Sequence, residues 1–169
     1  RKLLKLLLHA WADGARTGDA RTLAQLQTVA FLRVRQLALA QPYTFVELCL
    51  KGAYLAYVRN AKFVNEQSAP RIDLMRGCVA ELCALDLDAT YQHAFVSIRQ
   101  LALHLRNAMV HNTKGAKDTL QHVYSWQFVN CLKLWAAVLS AHAEPDQLRA
   151  LVHPLVQIIL GAICLVPSA

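Results

Sequence analysis

Proton transfer, nucleophilic attack and metal binding each need polar groups at characteristic spacings. Seven histidines (9, 93, 104, 111, 122, 142 and 153) never fall four residues apart, and none has an HExxH context. Two imidazoles on one helix face, the usual start of a helical zinc site, are therefore not written into the chain. Cys78 and Cys83 lie five residues apart, which on a helix turns them nearly to opposite faces. A glycine-rich phosphate loop and a GxSxG elbow are both missing from the sequence. Asp86 and Asp88 form a close acid pair, but the start of a helix accounts for them better than acid–base work. The expectation is a chain that is not an enzyme and needs no cofactor, metal or small-molecule substrate.

The chemistry that remains is charge. No acidic residue occurs between Asp88 and Asp118, whereas Arg99, Arg106, Lys114, Lys117 and three histidines do. Arg59 and Lys62 make a second basic cluster near the end of another helix. Arginine and lysine held on helices and loops suit phosphate contacts, which position a nucleic acid without reading its sequence. These six residues are the candidate RNA or partner contacts. A structural alternative stands beside that reading. Arg99 and Arg106 can also be buried arginines that bond helix-end carbonyls between repeats, and Lys114 and Lys117 can be ordinary solvated loop lysines.

The element that must carry this window is the stretch YQHAFVSIRQLALHLRNAM, residues 91–109. Tyr91, Phe95, Ile98, Ala102, Leu105 and Met109 recur at steps of four and three. That spacing predicts one core-facing stripe of an α-helix over about 88–111. Gln92, Arg99 and Arg106 form a polar row beside it, and His93, Gln100 and Asn107 form another. Asp88 is the expected N-cap, and Asn112 to Gly115 the stop.

Around it the pattern predicts six more helices. The first covers 1–12, with Arg1, Lys2 and Lys5 beside Leu3, Leu4, Leu7 and Leu8, and Asp13-Gly14 ends it. The second runs from Asp19 or Thr22 to about Gln41 before Pro42, with Leu23, Leu26, Ala30, Val34 and Leu37 inward. The third spans 44–62 with Leu48, Leu55 and Val58 inward. The fourth starts at Pro70 and ends near Leu85, after a polar loop at Asn65 to Ser68. After the central fifth helix, the sixth opens at Asp118 and reaches about His142. Phe128 and Trp135 share one of its faces while Tyr124 and Trp126 point elsewhere; most of the four are expected in the core, with one or two as candidate anchors for a partner helix. The seventh runs from about 146 to 166, and Pro154 kinks or restarts it.

No strand-period stretch interrupts this, so the fold class is all-α. About seven helices joined by short loops fit either an α-solenoid or an irregular helical array. Apolar residues make up 56% and charged residues 17%, against typical values near ~45–50% and ~25%. That surplus implies apolar surface that a lone monomer cannot easily hide. A membrane span is set aside, because the longest nearly apolar run, 155–166, falls short of the ~20 residues a bilayer needs. RKLLKLLLHAW reads as an amphipathic helix rather than a signal peptide. Neither end shows a polar cap, so residues 1–169 are expected to be a single helical-repeat segment excerpted from a longer solenoid. Five cysteines without a CxxC pair read as reduced and buried. A net charge of +7 favours an acidic partner such as RNA.

YQHAFVSIRQLALHLRNAM also resembles the most recognisable segment of the nucleolar complex protein 2 family. GAYLAYVRNAKF (52–63), VYSWQFVNCLKLW (123–135) and HPLVQIILGAICLVPSA (153–169) resemble further segments of it, in the same order. The likeness covers most of residues 49–169. Before residue 49 only RKLLKLLLHAW and VAFLRVRQLA carry it. The resemblance implies a HEAT- or armadillo-like α-solenoid and a non-catalytic scaffold in nucleolar assembly of the large ribosomal subunit. It implies other nucleolar complex proteins as partners, association with the pre-ribosomal particle, contact with rRNA, and a nuclear, nucleolar location. The rival reading is a helical-repeat nuclear transport adaptor.

Overall fold

The structure, a computed structural model, describes residues 1–13, 20–40, 44–112, 117–142, 144 and 146–165. Nine helices and no strand occur among the described residues. The chain divides into two compact units, Arg1–Ala89 and Thr90–Ala169.

In the first unit, α1 (Lys2–Ala12) packs on α2 (Ala20–Ala40), and α3 (Thr44–Asn60) packs on α4 (Ala69–Cys83). The two pairs meet where α1 lies on α3 and where α2 touches α3 and α4. Helix α1 stops at Asp13, whose amide returns to the His9 carbonyl at 2.7 Å while its carboxylate lies 3.2 Å from His9 Nδ1. Ahead of α4, Asn65 and Ser68 exchange hydrogen bonds: each backbone amide donates to the other's side-chain oxygen, at 2.9 and 2.7 Å. Pro70 then sits in the first turn, where its missing amide costs no hydrogen bond.

The core of this unit is filled by Trp11, Phe31, Val34, Tyr57, Ile72, Met75 and Leu82. Trp11 and Phe31 tilt against each other with ring centroids 6.4 Å apart. Two expected inward faces are corrected here. On α2 the buried side is Gln27, Ala30, Phe31, Val34 and Ala38, and Leu26 is exposed; the side chain of Leu23 lies outside the described residues. On α3 it is Val46, Cys49, Leu50, Ala53 and Tyr57, and Leu48 and Leu55 are exposed. Both helices carry leucine on more than one side, so counting leucines cannot choose the face. The neighbours choose it.

Two arginines tie these helices together. Arg71 on α4 donates to the carbonyl of Ala12, the last residue of α1, at 3.1 Å, and to Asn60 Oδ1 at the end of α3, at 2.9 Å. Asn60 in turn donates to the Ala56 carbonyl. Arg35 Nε on α2 lies 3.1 Å from Glu81 Oε1 on α4, off-line for a hydrogen bond and partly exposed.

The second unit holds nearly all of α5 (Leu87–Asn112), with α6 (Lys117–Val123), α7 (Trp126–Ala141), α8 (Asp146–Ala150) and α9 (Val152–Cys164). Helix α7 packs on α6 and α9, and α8 on α9. At Gly161 a β-carbon would stand 2.8 Å from the Leu105 side chain, so α9 and α5 approach closely there.

One expected helix is broken, and the last one restarts near its proline, one of the two outcomes the sequence offered. The one predicted over 118–142 is split at Tyr124-Ser125. The Ser125 hydroxyl accepts from the Phe128 amide and donates to the His122 carbonyl, so it starts α7 and closes α6 at once. The one predicted over 146–166 is split at Leu151, because Pro154 has no amide to return to the Ala150 carbonyl. Taken as one run, Asp146–Cys164 is long and apolar enough to cross a membrane by length and composition. The shorter run read from the sequence therefore understates it. The break at Leu151 and the charged Asp146 and Arg149 of α8 all fall within that run.

Candidate interaction surface

The register of α5 decides what the basic window can do. Its start is capped by Asp86, whose carboxylate accepts from the Ala89 amide at 2.9 Å. The expected cap, Asp88, is instead an exposed residue of the first turn. The buried stripe is Thr90, Ala94, Ser97, Ile98, Leu101, Leu105 and Ala108. The stripe expected from the sequence is thus turned by about one residue. Ile98 and Leu105 stay in the core, while Phe95 and Met109 are 47% and 54% exposed. Periodicity favours large side chains for the core, yet Thr, Ala and Ser are what a helix presents where neighbours approach closely.

On the opposite side Arg99 and Arg106 are exposed, with Gln92, Gln100 and Asn107. Neither arginine is the buried helix-end arginine of the structural alternative; in this chain Arg71 does that work. Among them stand Val96, Leu103 and Val110, also exposed. Phe95, Arg99, Leu103, Arg106 and Val110 follow one another at steps of four, four, three and four, so apolar and cationic groups alternate along one ridge. Leu103 is legible in the sequence as apolar surface off the main stripe, whereas Phe95 is expected in the core and Val96 and Val110 are what the sequence reading missed. The signal for Phe95 lay in its spacing, seven residues from Ala102 rather than from a larger group.

Arg59 and Lys62 are exposed at and just past the end of α3, in the first unit. Lys114 lies outside the described residues. Lys117 begins α6 rather than closing a loop, and its side chain is likewise outside them.

A second surface feature lies within the same unit as α5. Val123, Phe128, Leu132, Ile159 and Ala162 line an apolar groove of about 340 Å³ between α6, α7 and α9, with Lys133 at its edge. Tyr124 spans it, its hydroxyl donating to the Ala162 carbonyl at 3.3 Å. Phe128 and Trp135 are buried together, as their shared face predicts, while Tyr124 and Trp126 are half exposed, so only two of the four aromatics are core.

None of the five cysteines is in a disulfide; four are buried and Cys164 is exposed, which corrects the expectation of five buried thiols. Burial pushes the Cys49 and Cys78 thiols up to about 11, against a smaller opposing pull on Cys78 from the Trp11 indole. Thiols held neutral in this way are poor nucleophiles. Among the described residues no three His, Cys, Asp or Glu side chains gather where they could hold a metal ion.

Packed helices, one of them with a long basic and apolar exposed face, define the chain as an all-α protein. Residues 44–169 match the Noc2p family. Nucleolar complex protein 2 of Drosophila melanogaster is 44% identical over the whole chain, and nucleolar complex-associated protein 2 of Arabidopsis thaliana 41%. A nucleolar complex protein 2 homolog of Caenorhabditis elegans is 36% identical over 94% of the chain. The chain covers 21% of each of these relatives. It belongs to the Noc2p family, and that membership assigns it to the nucleolus, within the nucleus.

Proposed function

We propose that this chain is part of a non-catalytic scaffold in nucleolar assembly of the large ribosomal subunit. It holds other nucleolar complex proteins, and through them or directly the pre-ribosomal RNA, by contacts on helix surfaces. The observation that carries the reading is the exposed face of α5 from Gln92 to Val110, which bears two arginines and no carboxylate, in a chain whose relatives are named as nucleolar complex proteins. A HEAT- or armadillo-like solenoid is the architecture proposed for the longer protein. It is supported by the stacking of one helical pair on the next in the first unit. Arg59, Lys62, Arg99, Arg106, Lys114 and Lys117 are the proposed contact residues.

Mass spectrometry of the proteins and RNA that copurify with the full-length protein tests this. The expected result is a stable set of nucleolar complex proteins with precursors of the large subunit. Release of the bound set by a regulatory GTPase would instead establish a transport adaptor. Direct RNA contact has its own test. Changing Lys114 and Lys117 to Glu should flatten the salt dependence of RNA affinity, because fewer counterions are released per complex. An unchanged slope removes both lysines from any RNA surface.

A further inference from the structure

We propose that the solvent face of α5 between Phe95 and Val110 docks an acidic amphipathic helix of a protein partner. The proposal rests on the scaffold reading and deepens it, by naming which surface is used and what it recognises.

The face runs for about 22 Å at 1.5 Å per residue, room for roughly four turns of a partner helix. Phe95, Val96, Leu103 and Val110 expose between 36% and 57% of their surface, with Val96, Leu103 and Val110 along the middle of the face and Phe95 at its edge. Arg99 and Arg106 stand between them, and the flanks carry Gln92, Gln100 and Asn107. No carboxylate lies between Asp88 and Asp118 to neutralise the arginines. The complementary surface is therefore an apolar seam with carboxylates beside it, spaced to meet charges seven residues apart. Such a seam on a helix is read through anchors at i, i+3, i+4 and i+7.

Other occupants fit the same face less well. A phosphate backbone would meet the two arginines but would also desolvate four apolar side chains. Of these only Phe95 has a ring on which a base could stack. A second copy of the chain would set Arg99 and Arg106 against their own counterparts with no acid to separate them, which like-charge repulsion opposes. An acidic helix satisfies both the apolar seam and the charge.

The test uses the full-length protein with a photo-crosslinking amino acid at position 103, and a control with the same residue at 67, an exposed loop position. Crosslinked products are sequenced by mass spectrometry. The expected product joins position 103 to a segment of another polypeptide with apolar residues at helical spacing and Asp or Glu beside them. Arg99→Glu with Arg106→Glu should cut its yield about tenfold, as expected for two charge pairs at an interface rim. Reversing the two nearest acidic residues of that segment to Arg should restore it. Crosslinking to RNA, crosslinking to the protein's own chain, a yield no higher than at position 67, or indifference to the charge reversal each overturns the proposal. If the Glu variant loses its melting transition, Arg99→Gln with Arg106→Gln takes its place under the same criteria. Failure here with the wild-type copurifying set intact leaves the scaffold reading standing. A wild type that brings down no nucleolar protein overturns the scaffold reading itself.

Discussion

In residues 1–89, Arg71 and Arg35 lie between helices: Arg71 closes the ends of α1 and α3, and Arg35 reaches Glu81 on α4. In residues 90–169, Arg99 and Arg106 stand on one long helix facing solvent, with apolar side chains around them. The residue type is the same and the use differs, because of what lies within reach. A guanidinium carries five donors in a rigid fork, and where helix ends converge it finds carbonyls to fill it. On the middle of a helix every carbonyl is already bonded within the helix. An arginine there can satisfy its charge only with water, a neighbouring acid or a partner. The contrast locates the candidate interaction surface by position along the helix rather than by residue count.

The largest effect should come from the core side of α5. Leu105→Ala, at a site that is 7% exposed beneath Gly161, should cost roughly 2–5 kcal/mol in denaturant unfolding. Phe95→Ala, on the solvent side, should change stability by less than about 0.5 kcal/mol. A large loss at Phe95 with a small one at Leu105 would reverse the register and dissolve the contrast.

Arg71→Ala comes next. It strips the Ala12 carbonyl and Asn60 Oδ1 of their donor in a half-buried place, so a loss of about 1–3 kcal/mol is expected. Arg99→Ala and Arg106→Ala should each stay within about 0.5 kcal/mol. Thermal or urea unfolding of the three variants side by side checks this. Equal losses would mean that all three arginines hold helices together.

Glycines sharpen the comparison at smaller scale. At Gly77, inside α4, an added β-carbon meets nothing within 4 Å. Gly77→Ala should therefore stabilise by about 0.5–1 kcal/mol through helix propensity alone. Gly161→Ala gains the same propensity but presses on Leu105 in the core, and overpacking of about 1–3 kcal/mol should outweigh it. The two changes should move the melting temperature in opposite directions.

A last effect, of a different kind, concerns thiols. At pH 8 an alkylating reagent should modify exposed Cys164 well before buried Cys49 and Cys78. The raised pKa values also have a stability sign. Folded and unfolded states both hold these protons below the ordinary value of 9.0, so the contribution is fully present there and is lost as pH climbs from 9 toward about 11. Urea midpoints that stay constant to pH 10.5 would contradict that burial.

Much of the helical grammar was legible before any coordinates. Pro70 at a helix start, Asp13 at a helix end, the polar Asn65–Ser68 link and the span of α5 follow from local rules about amides, carbonyls and ring closure. So do the two faces of α7, on which Phe128 and Trp135 fall together. The breaks at Ser125 and Leu151 were written in the sequence too, in a serine three residues before Phe128 and a proline three after Leu151. Apolar periodicity ran across Ser125 and hid that break, whereas Pro154 announced the other.

Register was decided by tertiary structure. Helices α2, α3 and α5 each carry enough apolar residues to bury more than one face, so the hydrophobic effect, which is non-directional, leaves the choice open. Close packing resolves it. Helices approach where side chains are small, placing Thr90, Ala94, Ser97 and Ala108 inward and turning Phe95, Leu103 and Val110 out beside Arg99 and Arg106. The basic window could be read from composition, but of its apolar companions only Leu103 was legible. They become a surface only once the neighbouring helices have taken the other side.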